Sequence, residues 1–218
     1  MDSNWASENL QVIRTLMERS AIYRRALAPM MILCGLVGTA AALVGLLAQI
    51  DRPAAFIAYW MAVSVAPLAG CFLVARAQAM KDAEPFWSPP TRRVAQGLLA
   101  PLTAGFAISF VILLHISSLE SVQPGGPEFA RVIGMLWLPL GWVILYGCAI
   151  NAAAFFMPRG MKLFGWVFIV GGCALFACGI PDMSRATAGH GIMGFFFGAL
   201  HLAYGVYLYF TEKRKNAA

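Results

Sequence analysis

Six apolar stretches, each about as long as a membrane is thick, constrain this chain more than any other feature. They lie near 27–49, 54–78, 95–118, 130–157, 161–180 and 187–210. A helix rises about 1.5 Å per residue, so roughly 20 apolar residues cross a hydrocarbon layer about 30 Å thick. The chain of 218 residues is 60% hydrophobic and 12% charged, where a soluble domain carries about 25% charged residues. A soluble fold of this size has too little interior to hide so much apolar surface. The expected architecture is therefore an all-α integral membrane protein. A six-transmembrane-helix bundle occupies 27–210, an amphipathic interfacial helix precedes it at 1–26, and a basic cytoplasmic tail follows at 211–218.

Turn-forming residues separate the stretches. Asp51-Arg52-Pro53 ends the first, and Lys81 to Pro85 with Pro89-Pro90 breaks the chain before the third. Pro124-Gly125-Gly126-Pro127 precedes the fourth, while Pro158-Arg159-Gly160 and Pro181-Asp182 bound the fifth. Ser88 ahead of Pro89 suits a helix start, because proline is tolerated in the first turn. The two halves of three stretches share no matched motif, so no inverted repeat is read.

Basic residues set the expected orientation. All but three of the 16 fall in the N-tail, the second and fourth connections and the C-tail; Arg52, Arg131 and Arg185 fall on the other side. Positive-inside bias places both termini in the cytoplasm of a cell inner membrane, with anionic lipid headgroups as the counterpart of the +6 net charge. No nucleic-acid partner is expected. Residues 1–26 carry Asp2, Glu8, Arg14, Glu18, Arg19, Arg24 and Arg25 and so do not read as a cleavable signal. Leu10, Ile13, Leu16, Met17 and Ala21 recur at helical spacing, which predicts a helix lying on the cytoplasmic leaflet.

The polar inventory argues against several functions. All ten acidic residues lie outside the stretches or at their edges, whereas proton-coupled transporters place a carboxylate within the membrane. Phosphate-binding loops, nucleophile elbows and helical zinc pairs are missing. Cys34, Cys71, Cys148, Cys173 and Cys178 sit in apolar runs without metal-site spacing and read as small packing residues. Ser64, Ser109 and Ser117 read as hydroxyls bonded to helix carbonyls.

The three histidines and one asparagine are the candidate ligand-binding residues. His115 and His190 lie near the outer ends of the third and sixth stretches. A similar depth on two helices is a precondition for shared ligation of a metal or haem. Three histidines allow at most one bis-histidine haem per chain, and no cofactor is the primary expectation. His201 lies deep in the sixth stretch and needs a partner, with Asn151, a serine, a backbone carbonyl or a ligand as candidates. Gly191, Gly194, Gly198 and Gly205 flank it at alternating intervals of three and four or their sum, forming a helix-packing seam within the chain or towards a second copy or protein partner. The functional expectation is a non-enzymatic accessory, sensory or assembly subunit. The alternatives are a redox or haem-binding subunit using His115 and His190, and a small uncoupled transporter or channel.

Overall fold

The structure is a computed structural model that describes residues 26–81, 86–124, 126–157, 159–178 and 185–217, and these contain helices and connections but no strand. Six helices are long and apolar enough to cross a membrane: α1 Ala26–Leu47, α2 Pro53–Lys81, α3 Pro89–Val122, α4 Glu128–Ala153, α5 Arg159–Cys178 and α6 Arg185–Thr211. The last continues as helix to Ala217, through most of the basic tail. The surface helix expected at 1–26 falls, but for Ala26, outside the described residues.

The six helices follow the apolar stretches closely. α3 departs most, starting six residues before the stretch at 95 and ending four after its close at 118. Prolines at its first two positions fix the entry, and Ser88 Oγ hydrogen-bonds Thr91 Oγ1 at 2.9 Å there. Past the apolar stretch the helix keeps its pitch through polar residues, because hydropathy marks where hydrocarbon ends and not where backbone bonding ends.

α4 is the centre of the bundle. Of its most apolar window 56% is buried, against 11% in α2 and in α3. It packs chiefly on α5 and α3. Leu140, Val143 and Ile150 of α4 form a core with Phe164 and Phe168 of α5, Ile192 and Phe196 of α6, and Leu27 and Met31 of α1. α2 and α3 turn most of their apolar surface outwards, including Leu68, Phe72, Phe106 and Val111.

α1 and α6 pack backbone against backbone. A methyl group on Gly198 would stand 2.9 Å from the Thr39 nitrogen, and one on Gly205 would stand 2.8 Å from that of Ile32. Reciprocally, Gly35 meets Leu202, and Gly38 meets the Phe197 carbonyl. Gly194 closes on Ala42. These three α6 glycines therefore spend their open face on α1 of the same chain. Gly191 differs, since it is exposed with nothing within 4 Å of its missing side chain. Small residues are what allow membrane helices to gain dispersion contact at such range.

One end of the bundle is tied by polar contacts. α1 stops in a Schellman turn: the Ile50 N–H donates to Gly45 O at 3.1 Å and the Gln49 N–H to Leu46 O at 3.2 Å. Gln49 takes the left-handed conformation, φ 51°, that glycine adopts with least strain. Glu120 near the end of α3 accepts the Ala54 N–H at the start of α2 at 2.9 Å, satisfying an otherwise orphaned donor. Arg185 of α6 pairs with Glu128 of α4 at 3.3 Å on the surface. The ends of α1 and α3 thus meet the starts of α2, α4 and α6, as up-and-down traverses require.

Two substitutions check this packing. Gly198→Leu is expected to lower stability by about 3 kcal/mol, because backbone cannot yield to the added atoms. Gly191→Leu should leave the thermal midpoint in detergent unchanged, and equal midpoints for both variants would contradict the seam. Gln49→Gly should raise the same midpoint, with a gain of about 1 kcal/mol from relieved left-handed strain.

Candidate functional site

Two imidazoles on α6, His190 and His201, are each only 1% exposed. A neutral imidazole has one donor and one acceptor nitrogen, and when it is buried both need partners. Both histidines do, by different means.

His190 sits at the tied end. The Trp60 indole N–H donates to its Nδ1 at 3.2 Å, and its Nε2–H donates to the Ile50 carbonyl at 3.2 Å. Indole is only a donor, which assigns the proton to Nε2. Phe56, Tyr59 and Trp60 of α2 surround the ring, with centroids 4.8, 6.0 and 5.9 Å away. The Tyr59 O–H is itself spent on the Ala41 carbonyl at 2.6 Å. Space for the imidazole comes from Gly45, whose missing side chain would overlap the ring. One glycine thus closes the α1 turn and admits the α6 histidine.

His201 lies among aromatic side chains. Its Nδ1–H donates to the Phe196 carbonyl at 2.9 Å, leaving Nε2 to accept from the Tyr146 O–H at 2.7 Å. Edges of Phe164 and Phe168 meet the ring at 5.2 and 5.5 Å, and Phe197 stacks at 6.1 Å. The accepting carbonyl lies in a π-helical segment, Gly194–Ala199, that ends two residues before the histidine. The wider turn bonds each carbonyl to the fifth residue on, the offset at which the His201 ring meets Phe196. A second such segment, Ile133–Trp137 in α4, sets the Met135 carbonyl against Gly189, next to His190.

Two thiols adjoin this region. Cys34 of α1 and Cys71 of α2 lie with their sulfurs 3.4 Å apart, both half-buried. Gly35, which follows Cys34, packs on Leu202, which follows His201. The thiol pair thus lies at the level where α1 packs on α6. The remaining cysteines, Cys148, Cys173 and Cys178, are exposed.

The other candidates stand apart. His115 is exposed on α3, about two turns inside the helix end. No hydrogen bond or ring contact joins its imidazole to that of His190. Asn151 donates to the Gly147 carbonyl of its own helix at 3.2 Å and lies against Gly165 of α5, so it is not the partner of His201. Ser64 and Ser109 bond the Met61 and Gly105 carbonyls, as expected of membrane serines. Ser109 additionally accepts the Trp142 N–H at 2.6 Å, linking α3 to α4. Among the described residues, no group of three or more His, Cys, Asp or Glu side chains is placed to hold a metal ion.

Of the partners weighed for His201, a backbone carbonyl is one of the two found. Tyr146, Trp60 and the thiol pair were not singled out by the sequence. A signal for Tyr146 existed, since a lone phenol amid an apolar run needs a hydrogen-bond partner as much as a lone imidazole does. Comparison with known protein families, with curated proteins and with solved structures finds no match.

Removing the phenolic oxygen tests the site. Tyr146→Phe leaves Nε2 of His201 unpaired and is expected to destabilise the bundle by about 1 kcal/mol. In a His201→Phe background the same change should cost less. Equal losses in denaturant titrations of both backgrounds would show that the bond carries no coupling energy.

Proposed function

We propose that this chain is a non-catalytic subunit of a cytoplasmic-membrane assembly, in an accessory, sensory or assembly role, with both termini on the cytoplasmic side. One observation carries this reading: the interior polar groups are engaged with one another. Both nitrogens of His190 and of His201 are bonded within the chain. Among the described residues the single buried side-chain polar atom without a partner is Thr39 Oγ1. A transport path or catalytic centre depends on polar groups left free to meet substrate. Here those groups join helices, as structural polar residues do in membranes.

The outward faces of α2 and α3 supply surface for lipid and for a neighbouring chain. Arg76 and Lys81 lie in the last two turns of α2, and Arg92 and Arg93 in the first two turns of α3. On the proposed orientation these ends face anionic headgroups. Haem or ligand binding through His115 and His190 is less well supported, because ligation would have to displace Trp60 or Ile50 from His190.

Gentle extraction from the native membrane tests the proposal. The chain should emerge in a complex of defined stoichiometry, with a reporter fused to its C-terminus scoring as cytoplasmic. A lone, monodisperse chain, or a reporter on the outer side, contradicts it.

A further inference from the structure

We propose that Cys34 and Cys71 form a reversible thiol–disulfide pair within the membrane, closed by a lipid-soluble quinone. This goes beyond the accessory reading and stands whether or not a partner chain is found. The first observation is contact: the two sulfurs, 37 residues apart in sequence, lie at 3.4 Å. A disulfide bond is about 2.05 Å long, so closure asks for an approach of little more than about 1 Å. The backbone favours that approach. Gly70, which precedes Cys71, leaves room for Leu33, which precedes Cys34, and a methyl group there would collide with the leucine.

Location selects the oxidant. Cys34 lies about two turns from the start of α1, and Cys71 about three turns from the end of α2. Both are therefore at hydrocarbon depth. Neither is sealed in the core, since both are half-buried and α2 turns most of its surface outwards. A charged, water-soluble disulfide does not partition to that depth, because burying its charges in hydrocarbon is prohibitive. A quinone does. The balance is complete with that one reactant. The two thiols form one S–S bond and give up two electrons and two protons, and the quinone takes up all four to become the quinol.

Closure would staple α1 to α2 at the level where α1 interlocks with α6. The pair thereby couples the redox state of the membrane pool to the packing of α1, α2 and α6.

The test uses the full chain in liposomes. Tetramethylbenzoquinone is the probe, since its ring is fully substituted and resists addition of thiols. After quinone treatment the protein is denatured, free thiols are alkylated, and the intact mass is measured. The expected result is loss of two of the five alkylatable cysteines, restored by dithiothreitol. Cys34→Ser and Cys71→Ser should each abolish the quinone effect, and the wild-type result does not depend on how those variants fold. Retention of all five thiols after quinone overturns the proposal. So does loss of two thiols in either variant, or closure by oxidised glutathione as fast as by quinone.

Discussion

A buried imidazole sealed from water must find its partners within the protein, and that constraint organises this bundle. Each histidine of α6 must find a donor and an acceptor among its neighbours, and each draws them from different helices. His190 takes an indole from α2 and a carbonyl from the end of α1. His201 takes a phenol from α4 and a carbonyl from its own widened turn. These bonds give the packing a direction that apolar contact, being non-directional, supplies weakly.

Glycine makes these bonds reachable. The face of α6 towards α1 is smooth, so the two backbones come together. Its aromatic and histidine-bearing faces then fall at fixed distances from α2, α4 and α5. The π-helical segment in the middle of α6 belongs to the same solution. It sets the Phe196 carbonyl at the five-residue offset from which the His201 ring reaches it.

Much of the architecture was readable in the chain. Continuous apolar runs with proline and glycine breaks gave six helices at nearly the right places, since bilayer thickness leaves little choice of length. The seam glycines were legible by spacing, although spacing does not say which helix they face. Gly191 belongs to the same stripe yet points outwards. The polar pairs were mostly illegible. Nothing in local sequence ranks Tyr146 above Asn151 as the partner of His201, because the choice depends on the rotation of α4 about its axis. Cys34 and Cys71 were invisible as a pair for the same reason: they meet only through the antiparallel register of two helices. The extension of α3 beyond its apolar stretch was missed because a helix in contact with others persists into water.

The glycine face of α1 has a consequence for biogenesis. The surface that it presents is completed by α6, which leaves the ribosome only after α2 to α5. Until then α1 offers exposed backbone and an unfilled notch at Gly45, and Ile50 keeps a carbonyl without its imidazole. α1 is thus finished by a helix synthesised long after it, so a nascent chain interrupted before residue 190 would display an unpaired small-residue groove.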